Sequence, residues 1–162
     1  MDKITDFHAY AAGSIKWRLT NDGIDVQGEG IVRSKGNPDT VKRIWLAYGK
    51  EITKYSKQYN VPVEIIIANI ATESSGNAKA YREEPGYVSD EKTPARVSGG
   101  LMQTLVSTAR QMMRNQKLTS KDLFLPDVSI HAGVGYIASQ AFKTNLDPVL
   151  VPIAYNAGGL YS

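Results

Sequence analysis

The sequence predicts a mainly α domain, α+β in detail, with a β-hairpin at its N-terminus, and three observations carry that expectation. Apolar residues recur in steps of three and four from Val41 to Tyr59, a run from Val63 to Ser74 is apolar nearly all round, and residues 14–32 alternate with period two. With 162 residues, 42% of them hydrophobic and 22% charged, the chain can fill one core without staples. It divides into an N-terminal β-hairpin extension over 1–36 and a helical domain over 37–162.

Each element has a local cause. In the hairpin Ile15, Trp17 and Leu19 share a face, Asn21-Asp22-Gly23 makes the turn, and Ile24 and Val26 resume the alternation. Gly28, Gly30 and Gly36 then loosen the chain. Asn37-Pro38 reads as an N-cap with proline in the first helical position. The helix it opens carries Ile44, Trp45, Tyr48, Ile52, Tyr55 and Tyr59 as its core stripe and ends near Asn60. Pro62 opens the next helix, Val63 to about Ser74, whose apolar circumference predicts a central position. Residues 76–97 read as a long polar loop, and a loop of that length in a compact domain is commonly functional. After Gly99-Gly100 a short helix is expected from a Ser107 cap to Asn115. Another follows Pro126, with Asp127 as cap and Val128, Val134, Ile137, Ala141 and Phe142 on its apolar side. Asp147-Pro148 caps a last helix that Gly158-Gly159 terminates.

Composition removes several chemistries. There is no cysteine, so disulfides, thiolate metal sites and a thiol nucleophile are excluded, and two histidines cannot make a histidine-rich metal centre. Nineteen Lys and Arg against sixteen Asp and Glu give +3, too mild a bias to argue for nucleic acid. The longest strongly apolar uncharged run, Ile65 to Thr72, is far below the roughly 20 residues a membrane span needs, so no membrane insertion is expected. No cofactor and no metal are expected. The start MDKITDFHAYAAG has no basic flank leading into an apolar stretch, so the chain reads as made in a cytoplasm without a signal peptide.

One carboxylate stands out. Counting back from Glu73 by three, four and seven gives Ile70, Asn69 and Ile66, which aligns an acid with isoleucines at the end of the most apolar helix. The partial negative charge of a helix C-terminus and an apolar surround both raise a carboxyl pKa toward the range of a general acid. The plainer alternative is that the last turn rolls Glu73 into water. His131 reads as a packing residue, and Glu83, Glu84, Asp90 and Glu91 as solvated charges.

Ala71-Thr72-Glu73-Ser74-Ser75-Gly76, then Gly99-Gly100-Leu101-Met102-Gln103, then Ile153-Ala154-Tyr155-Asn156-Ala157-Gly158 occur in this order, with Pro126-Asp127, Ile130, Gly133 and Tyr136 between the last two. This succession, over Tyr48 to Tyr161, resembles the soluble lytic transglycosylase family, relatives of goose-type lysozyme. The resemblance implies a lysozyme-like helical catalytic domain over 37–162. It also implies cleavage of the β-1,4 bond between N-acetylmuramic acid and N-acetylglucosamine in peptidoglycan glycan strands.

By the same resemblance Glu73 is the single general acid and base, and the product is a 1,6-anhydro sugar. Ser74 matches a serine that orients the acid or contacts substrate, with a bond to a free helix carbonyl as the alternative. Met102 lines the cleft or simply packs, and the Gln103 amide bonds sugar hydroxyls or acetamido groups. Tyr155 holds the acid through its hydroxyl and Asn156 helps bind the saccharide. Tyr81 and Tyr87, in the 76–97 stretch, are the expected stacking platforms for sugar rings.

The family usually has proline where Val106 stands, asparagine where Ser129 stands, and a further segment after Tyr-Asn where this chain stops at Ser162. That last departure leaves a cleft wall supplied otherwise, or a shortened chain with impaired activity. Two other readings stay open. One is a goose-type lysozyme hydrolysing the same bond with a loop carboxylate positioning water. The other is a non-catalytic wall-binding or structural module of a phage tail. A wall enzyme without a signal peptide suggests a phage protein, an endolysin or a virion-borne factor, that acts on the periplasmic wall with virion or tail components as partners.

Overall fold

The computed structural model describes residues 5–9, 16–32 and 38–160. It shows a mainly helical domain with an N-terminal β region. That region is a three-stranded antiparallel sheet, β1 (Trp17–Thr20), β2 (Gly23–Val26) and β3 (Gly30–Val32), one strand more than the expected hairpin. Thr20 lies opposite Gly23 and Trp17 opposite Val26, so the turn falls on Asn21-Asp22. Arg18 and Asp25 are cross-strand partners and form an ion pair of 2.8 Å. The third strand exists because Gln27–Glu29 make a second reversal, with Gly28 at φ +91, where a looser chain was expected. Ile15 and Gly36 lie outside the described residues. Trp17, Ile24 and Val26 share a shallow apolar depression with Pro148 and Val149, which brings this sheet against the start of the last helix.

Helix α1 (Pro38–Tyr59) follows; its expected cap, Asn37, lies outside the described residues. Ile44, Ile52 and Tyr55 are buried, and Tyr48 and Tyr59 pack against the same core. Val41 and Trp45 are not core: Trp45 is 43% exposed, because position 45 sits a full 100° round the helix from Ile44. Helix α2 (Val63–Ser74) runs back against α1, burying Ile65, Ile66, Asn69 and Ile70 while leaving Glu64, Ala68 and Thr72 outside.

The stretch 76–97 is ordered structure rather than a free loop. It supplies β4 (Tyr81–Glu83), a 3₁₀ turn (Pro94–Arg96) and the start of β5 (Val97–Gly99), which pairs onward with β6 (Thr104–Leu105) in a second antiparallel sheet. Strands this short carry too little alternation to be read from a sequence. Asp90 is buried, not solvated: its two carboxylate oxygens accept from the Tyr87 hydroxyl at 2.9 Å and the Ser120 amide at 2.7 Å.

Helix α3 (Val106–Met113) begins one residue before the expected Ser107 cap, with Leu105 as N-cap and no side-chain cap bond. Helix α4 (Pro126–Ser139) is the most enclosed element, packed against both α1 and α3, and takes the central place that α2 was expected to hold. Its Ile130, Val134 and Ile137 join the α1–α2 core, while Ala132 joins a second cluster with Val97, Val106, Ala109, Leu118 and Leu123. Gly133 permits this enclosure: a Cβ there would stand 2.5 Å from the Met102 sulfur. Asp127 is no cap either, since its carboxylate accepts from the Tyr55 hydroxyl and the Lys54 ammonium, both at 2.8 Å, tying α4 to α1. His131 packs as expected, stacked on Tyr55 and hydrogen-bonded to the Tyr59 hydroxyl at 2.8 Å.

A break at Gln140 separates α4 from the one-turn α5 (Ala141–Thr144), which turns Phe142 outward, 82% exposed instead of in the core. Helix α6 (Leu150–Ala157) closes the described chain. Asp147 accepts from the backbone amides of Val149 and Leu150, and Gly158, at φ +79, ends the helix. Pro152 sits in the first turn, where amides have no helical partner in any case.

Candidate active site

Glu73 occupies the last turn of α2. That helix stops because Ser75 takes φ +52 and returns its amide to the Ala71 carbonyl, so the carboxyl is delivered at a helix end rather than midway along a face. It opens, half-buried, on a cleft of about 370 Å³ walled by Arg82 and Glu84, by Gln103 in the β5–β6 turn and Thr104 in β6, and by Tyr155 and Asn156 from α6. Burial raises the pKa of Glu73 above its ordinary 4.5, while the Asn156 amide and the Arg82 charge pull against that rise. The partial negative charge of the α2 C-terminus acts in the same direction as burial.

The neighbour that reaches the acid is Asn156, not Tyr155. Asn156 Nδ2 donates to Glu73 Oε1 at 3.4 Å and to the Pro152 carbonyl at 3.0 Å, which fixes the amide to its own helix and points it across at α2. The Tyr155 hydroxyl donates instead to the Met102 carbonyl at 2.8 Å and pairs with Thr104 Oγ1 at 2.9 Å. A phenol has one proton, and here it is committed to the Met102 backbone; the expected Tyr155–Glu73 bond is replaced by this anchor. Burial pushes the Tyr155 phenol pKa up, the Thr104 bond opposes it, and the Glu73 charge adds to the rise, so the two groups still feel one another.

Ser74 ties structure together rather than facing the cleft. Its hydroxyl donates to the Leu101 carbonyl at 2.7 Å, with the Ile70 carbonyl at 3.2 Å, and it accepts from the Gly76 amide. The alternative reading of this serine, a bond to a free carbonyl, is the one found. Met102 is fully buried against α4 and lines no part of the cleft; its side chain fills the space over Gly133. Gln103 does line the cleft, in a left-handed backbone conformation at φ +47 that few side chains adopt without a local reason. Its Oε1 accepts from Ser98 and its Nε2 donates to the Gly100 carbonyl, leaving one N–H and one lone pair free to meet a ligand. Gly100 has no substitute in this loop, because a Cβ would fall 1.9 Å from the Leu123 carbonyl oxygen.

Tyr81 and Tyr87 are not at this cleft. They line a neighbouring shallow depression with Asp90 and Phe124, on the other side of β4. The reason is strand alternation: Arg82 and Glu84 face the Glu73 cleft, so Tyr81 and Glu83 face away. Reading 76–97 as a loop hid that parity, and with it the two other charged residues that line the cleft. Arg82 and Glu84 form a solvent-facing ion pair of 2.9 Å. Tyr136, from α4, also lines the cleft, its ring 5.3 Å from that of Tyr155. Among the described residues no three His, Cys, Asp or Glu side chains gather as a metal site, and no helix is long and apolar enough to cross a membrane.

A helical domain that delivers one half-buried acid from a helix end into a polar cleft, opposite a small antiparallel sheet, defines the class. The family described as Transglycosylase SLT domain matches residues 50–161, and the chain belongs to it. A solved structure of the lytic transglycosylase Slt from Pseudomonas aeruginosa, an inactive mutant with glutamine in place of a glutamate, is similar at 25% identity and a TM-score of 0.55. The similarity covers 72% of this chain and 17% of that one, so this chain corresponds to a small part of that protein. No match is found among curated proteins.

Proposed function

We propose that this domain is a peptidoglycan lytic transglycosylase that breaks the β-1,4 bond between N-acetylmuramic acid and N-acetylglucosamine, with Glu73 as its only proton-transfer group. The observation that carries the reading is the Glu73 carboxyl itself, half-buried, raised in pKa and open to the cleft. Protonated Glu73 donates to the glycosidic oxygen, the C1–O bond breaks, and N-acetylglucosamine leaves with the proton on its 4-oxygen. The resulting carboxylate takes the proton of the muramyl 6-hydroxyl as that oxygen closes on C1. The product is a 1,6-anhydro sugar, and Glu73 is protonated again. An attacking group held in the same sugar can match an effective concentration on the order of 10⁵ M or more, so no second carboxylate is needed to activate water. Gln103 and Asn156 offer amides to the saccharide. Family membership supports the reading, as does the description of Slt as inactive with one glutamate exchanged for glutamine.

One observation favours a second reading. Glu84 lines the same cleft as Glu73, and a second carboxylate there is what hydrolysis with a positioned water requires. Mass spectrometry of sacculi digested by the purified chain separates the two. We expect 1,6-anhydromuramyl products, none from Glu73→Gln, and continued cleavage by Glu84→Gln. Products heavier by one water, together with an inactive Glu84→Gln, would establish the hydrolase instead. A phage virion setting is also a proposal, tested by proteomics of purified virions: peptides of this chain are expected there, and their absence would remove it.

A further inference from the structure

A second cavity lies beyond the Glu73–Asn156 contact. One helical turn back along α2 stands Asn69, and one turn back along α6 stands Pro152, and between them lies a separate notch of about 140 Å³ that Glu73 also borders. Its other walls are the apolar Ile65, Ala68, Val151 and Pro148, and Thr72, whose hydroxyl donates to the Ala68 carbonyl at 2.9 Å. Asn69 is only 7% exposed, and its Oδ1 has no hydrogen-bond partner. A buried amide without a partner is costly, and native cores rarely keep one without a reason. We propose that this notch is a subsite for the acetamido group of the glycan, the Asn69 amide pairing with the acetamido amide while the acetyl methyl lies against Ile65 and Val151.

Size and chemistry both select this occupant. A volume of about 140 Å³ holds a few water molecules at roughly 30 Å³ each, or one short acyl-amide group, and is well below the 300 Å³ at which sites for whole small molecules begin. Among the residues that border the notch, the only charged side chain is Glu73, so nothing there would pair with a carboxylate of the substrate. An amide presents one donor and one acceptor, and a rotation of the Asn69 side chain about its last bond presents either to the group entering the notch. The proposal rests on the reading of the domain as acting on peptidoglycan, and it adds a named contact beyond the cleft.

The test uses the full chain carrying Glu73→Gln, with tetra-N-acetylchitotetraose and its fully de-N-acetylated counterpart as probes. Nuclear Overhauser contacts between the acetyl methyl protons and the methyl groups of Ile65 and Val151 are expected. Asn69→Leu, added to Glu73→Gln, is expected to weaken binding of the acetylated tetramer by about 2 to 10-fold, the worth of one hydrogen bond, and to leave the deacetylated tetramer unchanged. Removing an unpartnered amide from the core should not unfold the protein; if Asn69→Leu does unfold, the Overhauser contacts decide alone. Equal affinities, or a loss shared by both probes, would overturn the proposal and leave the notch to water. Contacts that appear only with a muropeptide would assign the notch to the alanyl amide of a peptide stem, and would also overturn it. Failure to digest sacculi would refute the lytic activity without touching these binding measurements.

Discussion

Tyr155→Phe removes one oxygen from a buried site and should act on stability before it acts on chemistry. The hydroxyl links α6 to the second sheet through the Met102 carbonyl at 2.8 Å and Thr104 Oγ1 at 2.9 Å, and Thr104 is itself buried. Phenylalanine fits the same space but leaves a buried carbonyl short of a donor and a buried threonine hydroxyl short of a partner. Leaving buried polar groups unsatisfied costs about 1 to 3 kcal/mol, so a loss near 2 kcal/mol is expected. In a domain of this size that lowers Tm by about 4 to 8 °C. Thermal unfolding followed by circular dichroism reads the shift, and turnover of sacculi at a temperature well below both transitions reads the chemistry. Because Glu73 takes its hydrogen bond from Asn156, turnover of the folded variant should stay within a few-fold of wild type. An unchanged Tm with turnover reduced 10-fold or more would refute the argument and return the tyrosine hydroxyl to the acid.

Glu73→Gln should stabilise the protein at neutral pH, because burial raises the folded-state pKa of Glu73 and ionising the group therefore costs the folded state. That penalty is absent below the ordinary value of 4.5, grows as pH rises and is complete above the raised pKa; the Tm difference at pH 7 should close in acid, and a gap that widens there would contradict the sign. Asn156→Ala removes the bond that holds the Glu73 pKa down, so the alkaline limb of the pH–rate profile should move to higher pH, and a downward move would show that another group sets that limb. Gly133→Ala places a Cβ 2.5 Å from the Met102 sulfur and 2.7 Å from its Cβ, an overpacking expected to cost about 1 to 3 kcal/mol in chemical denaturation; an unchanged midpoint would mean that α4 shifts freely.

Long elements were legible in the sequence and short ones were not. The α1 and α2 boundaries follow from proline positions and a 3.6-residue period sustained over several turns, and α6 from its Asp147 and Gly158 signals. The second sheet has strands of two and three residues, too short to show alternation, and β4 pairs with β5 across a 13-residue stretch, so no local pattern announces it. The same gap hid Arg82 and Glu84. Glu73 stood out as a candidate because an apolar helix that ends in glutamate is locally unusual, and the structure places it half-buried at the cleft. Which neighbour it bonds was not, because Tyr155 and Asn156 point 100° apart on α6 and only tertiary packing decides which faces α2.

The parity of β4 makes the wall of the cleft exchangeable in a single step. Residues 81–84 show alternate faces to two depressions, Arg82 and Glu84 to the Glu73 cleft and Tyr81 to its neighbour. A deletion between Ser75 and Tyr81 that slips β4 by one residue against β5 would turn Tyr81 and Glu83 toward Glu73 and send Arg82 and Glu84 away. The acid would then face rings in place of an ion pair, its pKa released from the Arg82 charge, while the helices that deliver it stayed where they are. The length of chain between the acid and β4 is thus a control on cleft chemistry that substitution at the acid cannot reach.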